Sequence, residues 1–305
     1  MHDNLLRTKY PLLAVAMNQV SDANLAIAVR RAGGLPSISI FNYADHSNNV
    51  NYELLENEIV KYSLAVGDSR VVLSVDPTVI DDTLINFVSK FKISHLELIP
   101  HYDYIRSTRL QSVLSANLAR LQALEVTIIL KVVVYPEDIK YWSSWNQRNI
   151  DIISLKGPHG AGRVSMKNDD LIQLIKKAVT EFDIPIIAVG GIYTSAQVKE
   201  VLAAGASAVG VGTLFAASTE SCLSIEAKMK LVSAEYDTLS QLPTVDLPQN
   251  ALVLSKMTPD DLENNSIGLI AGVTTGNTGH VFAGQSVNGI KKIDTVQNII
   301  EELFK

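Results

Sequence analysis

Short apolar runs rich in β-branched residues recur along the chain, and amphipathic stretches fill the intervals between them. LLAVA (12–16), SISI (37–40), RVVLSV (70–75), SHLEL (94–98), TIILKVV (127–133), DIISL (151–155), PIIAV (185–189) and SAVGV (207–211) read as strands. Most are continuous rather than alternating, the pattern of strands covered on both faces. Leu110, Val113, Leu114, Leu118 and Leu121 recur at spacings of three or four and predict a helix over Ser107–Leu124; Leu171, Leu174, Ile175 and Val179 do the same for Asp169–Phe182. Similar stretches cover Asp22–Ala32 before the stop Gly33-Gly34, Pro77–Phe91 behind a cap at Asp76 or Thr78, and, more weakly, Pro136–Asn149. Thr194 to Gly205 supplies another. Eight strand–helix alternations predict parallel crossover units closed into a TIM (β/α)8 barrel, with an open doubly wound sheet as the alternative.

The remaining segments fit around that barrel. Residues 41–69 read as a polar loop and a helix over 52–65, a flap or surface excursion. Beyond residue 213 the pattern predicts a long helix at 217–236, a polar connector at Pro243–Asn250, a Gly/Thr-rich region at 267–289 and a last helix at 294–304. The expected organisation is one domain, 1–305, with 237–305 as an extension packed on the barrel.

Composition narrows the function. With 47% hydrophobic and 19% charged residues the chain can bury a substantial core. A net charge of −6 argues against a nucleic-acid or anionic-membrane surface. No apolar run approaches the ~18 residues of a spanning helix, and the start reads as a first strand rather than a signal peptide. Cys222 is the only cysteine. It excludes an internal disulfide and a multi-cysteine metal site, fits a reducing, cytoplasmic setting, and reads as a small buried residue on a helix. No GxGxxG follows an early strand, which argues against a dinucleotide-binding Rossmann domain.

The candidate chemistry lies at strand ends. Gly190-Gly191 ends the seventh expected strand and Gly212-Thr213 the eighth. In a barrel these loops are the usual phosphate site, because glycine lets main-chain N–H groups approach an anion; turns without ligand are the plainer reading. Lys131 interrupts an apolar strand. Either it turns inward beside an anion, where it can stabilise negative charge on a ligand, or its stem lies outside with the ammonium in water. Ser74 offers a ligand donor or an ordinary backbone bond, and Met17 a soft wall or core packing. Lys156, His159 and Arg163 gather cationic groups among glycines after strand six. His159 can move a proton or bind an oxyanion, and Arg163 can fork onto an anion; loop solvation is the alternative for both. His280 and Gln285 lie in the late glycine-rich segment, where Gly276 and Gly279 permit close approach over the barrel mouth. Tyr141, Trp142 and Trp145 suit core packing or a subunit contact.

PLLAVAMNQVSDANLAIAVRRAGGLPSI (11–38), IPIIAVGGIYTSAQVKEVLAAGASAVGVGTLFAASTES (184–221) and HVFAGQSVNGI (280–290) together resemble the nitronate monooxygenase family, formerly 2-nitropropane dioxygenases. These are FMN-dependent TIM barrels that also include flavin-dependent enoyl-ACP reductases. The resemblance implies FMN as cofactor, lined by Met17 with the backbone of Ala16 and Asn18. It places Gly190, Gly191, Gly212 and Thr213 at the phosphate, and Gly210 where glutamine is frequent. Gln285 falls in the late Ala-Gly-Gln motif and joins the expected cofactor set, with Ser74, Lys131, Lys156 and Gly157. After strand six the family carries Gln-Gly and then a Glu-Ala-Gly-Gly-His-like stretch; here it reads LKGPHGAGRVS (155–165). With Gly157 on the family's glycine, Lys156 replaces the glutamine and His159 stands where an acid is common. Arg163 then replaces the histidine proposed as base or substrate contact. His159 and Arg163 are the expected catalytic residues and no metal is expected. The expected function is an FMN-dependent oxidoreductase with a nitronate-monooxygenase-like reaction on a small substrate, for which Arg163 favours an anion. An NAD(P)H-dependent enoyl or quinone reductase, a non-redox phosphate-ligand barrel and a non-catalytic flavin-binding protein are the alternatives. A homodimer is compatible with the aromatics at 141–145.

Overall fold

The eight apolar runs all become strands in the computed structural model, which describes residues 5–45, 49–99, 108–135, 137–146, 149–165, 167, 169–242, 247–254 and 265–305. They are Leu12–Ala14 (β1), Ser37–Ser39 (β2), Val72–Val75 (β3), His95–Leu98 (β4), Thr127–Val132 (β5) and Ile152–Lys156 (β6). After a two-residue strand of another sheet, Gly162–Arg163 (β7), come Ile186–Val189 (β8) and Ala208–Val211 (β9). Every pair in the eight-stranded sheet is parallel, and β9 lies between β1 and β8. The ring closes through a bridge from Leu13 to Leu35, with Leu35 N donating to Leu12 O at 2.8 Å and Ala14 N to Leu35 O at 2.9 Å. The fold is therefore the expected TIM barrel.

Local signals set the helix ends. Asp22 Oδ1 accepts from Leu25 N at 3.0 Å to start Ala23–Ala32 (α1), and Gly33 ends it at φ 95°. Thr194 and Gln197 form a reciprocal capping box on Ser195–Ala203. Asp76 caps only a 3₁₀ turn, Pro77–Val79, and the helix proper, Asp82–Phe91, starts from Asp81. The helix of the 41–69 excursion spans Tyr52–Val66.

The expected helix at 217–236 is the main correction. Thr213–Ala216 is one short helix and Ile225–Ser233 a second. Hydroxyls compete with helix continuation between them: Ser218 Oγ accepts from Ser221 N at 3.2 Å, and Ser224 accepts from Ala227 N to begin the second helix. Lys228 Nζ donates to Ser221 O at 2.8 Å and holds this turn from beyond it. Cys222 consequently lies in the turn and is exposed, not buried on a helix. Burial of its sulfur nonetheless pushes the thiol up to about 11, with Asp22 adding to the rise.

The extension builds its own antiparallel sheet. Ser240–Leu242 (β10), Gln249–Val253 (β11) and His280–Phe282 (β12) pair in that order. Part of the expected connector is thus strand, and 243–246 lie outside the described residues. The Gly/Thr-rich region contains a helix, Asn265–Thr275, whose Gly272 packs so closely on His280 that a Cβ would lie 2.0 Å from its carbonyl oxygen. His280 is fully buried rather than on a surface loop. Trp142 is core, while the side chains of Tyr141 and Trp145 lie outside the described residues. The last helix spans Val296–Leu303. Among the described residues no helix is long and apolar enough to cross a membrane, and no group of three or more His, Cys, Asp and Glu could hold a metal.

Inside the barrel, Leu13, Val72, Ile129, Ile152, Ile187 and Ala208 pack into one buried cluster. Side chains two residues on face the same way, one layer nearer the strands' C-terminal ends. At the other end, His95 is buried with its Nδ1 2.7 Å from Ser94 Oγ, and burial, with Arg70 and Arg7 nearby, lowers its pKa from 6.5 to about 4. The folded chain holds this imidazole neutral while the unfolded chain protonates it near 6.5, so stability is lost as pH falls from about 6.5 to about 4. Urea unfolding across that window should show a loss on the order of 3 kcal/mol attributable to His95, and His95→Gln should flatten it. An unaltered pH profile in the variant would refute this.

Candidate functional site

The second interior layer is divided. On β8, β9 and the end of β1 it is apolar or glycine: Val189, Gly210, Val15. On β3 to β6 it is polar, Ser74, Glu97, Lys131 and Ser154, with Lys156 one layer higher on β6 and Ser39 at the end of β2. A cavity of about 410 Å³ opens above this layer at the strands' C-terminal ends, within the usual size of small-ligand sites.

Ala16, Met17 and Asn18, which follow β1, line one wall; Gly190, Gly210, Gly212 and Thr213 line the adjoining one. Gly190 has φ 105° and packs on the 157–160 backbone, where a Cβ would lie 3.1 Å from Gly157 O. Met17 N donates to Ser21 Oγ at 2.9 Å, which fixes the turn carrying these residues. Asn18 Oδ1 is buried and has no hydrogen-bond partner among the described residues. The Gly/Thr-rich extension does fold over the mouth, contributing Leu269, Val281, Phe282 and Ser286.

Lys131 turns inward. Its Nζ lies 3.5 Å from Glu97 Oε2, and the two side chains are 11% and 1% exposed. Ser74 Oγ donates to the same oxygen at 3.1 Å and lies beneath the cavity wall, not in it. Glu97 was legible only as an acid in the apolar run SHLEL, a position that burial makes costly without a partner. Asp138, another unexpected lining residue, accepts from Val133 N and Val134 N at 2.9 and 2.8 Å.

The loop after β6 is held from several sides. Lys156 Nζ donates to Ala161 O and, at 2.6 Å, to Arg163 O, and Gly160 leaves room for its stem. Burial holds the Lys156 amine well below the usual lysine range, with Lys131 and Arg163 adding to the depression and Glu97 opposing it. Neutral or charged, that amine can donate to both carbonyls. Asn250 Nδ2 donates to Gly160 O at 2.9 Å, Gln285 N to His159 O at 2.9 Å, and β7 pairs with β11, Arg163 opposite Gln249. Gly284 lies so near this loop that a Cβ would come within 2.6 Å of His159 O.

This clamp sorts the candidates. Lys156 and Arg163 reach the cavity wall. His159 does not line it: its Nδ1 is 3.1 Å from Tyr236 Oη, with the rings edge to face at 5.5 Å. Gly157 packs under Leu171 and donates to Val189 O at 2.8 Å. Gly191 and Gln285 sit behind the wall against each other, a Cβ on Gly191 falling 2.9 Å from Gln285 Oε1.

A family model described as nitronate monooxygenase matches residues 104–305. A curated relative from Rhodococcus jostii, (3aS,4S,5R,7aS)-5-hydroxy-7a-methyl-1-oxo-octahydro-1H-indene-4-carboxyl-CoA dehydrogenase, is 23% identical over 273 residues, 88% of this chain and 69% of the relative. FabK from Thermotoga maritima superposes with a TM-score of 0.79 at 21% identity, covering 99% of this chain and 93% of that one. Nitroalkane oxidase from Streptomyces ansochromogenes gives 0.74 at 19%, covering 97% and 95%. At these identities the two structures establish likeness of fold.

Asn250→Ala removes the donor to a buried carbonyl and should cost about 1–3 kcal/mol. Hydrogen exchange by mass spectrometry should show faster exchange confined to residues 157–163 and their β11 partners; unchanged protection there would show that Asn250 does not hold the loop.

Proposed function

The chain belongs to the nitronate monooxygenase family and is an oxidoreductase, and from that premise we propose that it binds FMN and oxidises a small anionic substrate, a nitronate first among them. The observation that carries this reading is the divided cavity, with a glycine and apolar wall on one side and the basic side chains of Lys131 and Arg163 on the other. Asn18 Oδ1, buried at the wall without a donor, suits a ring N–H. These residues fit a flavin. Main-chain N–H groups at Gly190, Gly212 and Thr213 would hold the phosphate, and Met17 with Val189 would pack the ring.

Bound flavin supplies one-electron and hydride chemistry; the chain supplies orientation, a dry wall and charge. Arg163 would hold the substrate anion as a fixed fork. Its backbone is tied into β7, which fixes where the side chain leaves the main chain. Lys131 would place positive charge at the cavity floor. Asp138 Oδ2 accepts from two backbone N–H groups, and among the described lining residues there is no imidazole. This favours a substrate already ionised, such as a nitronate, over one whose C–H must first lose a proton to the wall.

Purified protein should show flavin absorption in the near-ultraviolet and blue, and titrate with FMN. Gly190→Val should weaken FMN retention roughly tenfold, a loss of about 1.4 kcal/mol, since a side chain there meets Gly157 O at 3.1 Å and Gly160 N at 3.2 Å and displaces the main chain that would face the phosphate; unchanged affinity would remove Gly190 from the site. Turnover of propionate-3-nitronate, compared with NADH plus an enoyl thioester, separates oxidation from the reductase alternative. Arg163→Met should raise KM for the nitronate about 10- to 100-fold with FMN affinity retained, and an unaltered KM would place the anion elsewhere.

A further inference from the structure

One buried carboxylate lies just beneath the cavity and outside its wall. Glu97 is fully buried on β4. Its Oε2 accepts from Ser74 Oγ at 3.1 Å and faces Lys131 Nζ at 3.5 Å; its Oε1 has no hydrogen-bond partner among the described residues. Ser154, in register with Lys131 on β6, is also fully buried and its Oγ lacks a partner among the described residues. The amines facing this layer are Lys131 from β5 and Lys156 from β6. Lys156 is committed to the Ala161 and Arg163 carbonyls, so Glu97 has Lys131 as its ion partner among the described residues. Lys131 in turn reaches the cavity and Glu97 does not.

We infer that Glu97 is a positioning residue that acts through Lys131, pinning the lysine ammonium at the cavity floor so that a flavin bound there meets a fixed positive charge. This rests on the flavin reading above. A lysine stem has four rotatable bonds and an ammonium that prefers water; without a buried anion it has little to keep it in the barrel. A fixed cation beside a flavin stabilises the reduced, more negative ring and raises its midpoint potential. The direct influence of the Glu97 charge on the ring is of the opposite sign. The two roles therefore predict opposite shifts.

Spectroelectrochemical titration of the FMN-loaded wild type, Glu97→Gln, Lys131→Met and the double variant separates them. The midpoint potential should fall in both single variants, and the double variant should fall no further than Lys131→Met, the non-additivity of residues acting as one unit. A rise in Glu97→Gln, as removal of a negative charge alone would give, overturns the inference, as does no shift or an additive pair. Amine modification of the flavin-free protein, read at Lys131 by mass spectrometry, tests the pinning without any cofactor. Lys131 should react faster in Glu97→Gln, and an equal rate overturns the positioning role. Should the wild type retain no FMN, the flavin reading fails on its own and the modification rates still decide the pinning. Ser74→Ala, which keeps the carboxylate and removes one of its bonds, covers the case in which Glu97→Gln does not fold. It should speed modification of Lys131 by less, and no increase counts against the inference.

Discussion

An ammonium drawn into the interior of a parallel barrel must meet an anion there, and the polar side of this molecule is organised by that requirement. Lys131 on β5 and Glu97 on β4 stand 3.5 Å apart, with Ser74 from β3 on the same carboxylate oxygen. Removing one partner of such a pair leaves a buried charge uncompensated, typically at about 3–5 kcal/mol. Three neighbouring strands are thereby bound to one polar cluster, while β8, β9 and β1 keep an apolar and glycine interior. The cavity inherits this division. One wall is suited to the flat face of a ring and the other to negative charge.

A second constraint acts above the strands. The loop after β6 leaves the barrel as a run of glycines with little packing of its own, and its conformation is imposed by distant parts of the chain. Lys156 draws two carbonyls inward, Asn250 takes a third from β11, and Gln285 N takes a fourth. Pairing of Arg163 with Gln249 makes the loop an edge of the extension's sheet. The extension is in this sense part of the site rather than an appendage. It contributes lining residues directly and holds the Arg163 backbone by pairing.

The departure of this loop from the family pattern has a structural counterpart. Arg163 occupies the wall, and His159 is turned onto Tyr236. A lysine in the place of the family's glutamine becomes the internal tie of the loop. The substitutions are mutually consistent: the tie at Lys156 fixes the carbonyl of Arg163, and Gly160 leaves the space the lysine stem needs. The wall thus carries an arginine at the position where the family pattern has histidine.

Local sequence determined the elements. Continuous apolar runs marked all eight barrel strands, including the short His95–Leu98, because strands buried on both faces need apolar residues at every position. Caps such as Asp22 and the stop at Gly33 marked helix ends, because those end groups are satisfied by neighbours a few residues away. Of the site, Met17, Gly190, Gly212 and Thr213 were legible because strand ends in a barrel converge on one mouth, and Arg163 by its place after β6. Tertiary structure decided whatever depended on partners far along the chain. The inward turn of Lys131 required Glu97, 34 residues away. His159 left the wall because Tyr236, 77 residues on, lies behind it. The break in the expected 217–236 helix followed from serine hydroxyls and Lys228 closing a turn that hydrophobic periodicity does not register. Periodicity reports which face of an element is buried, and it carries no information about which polar atom will be found on the other side of that burial.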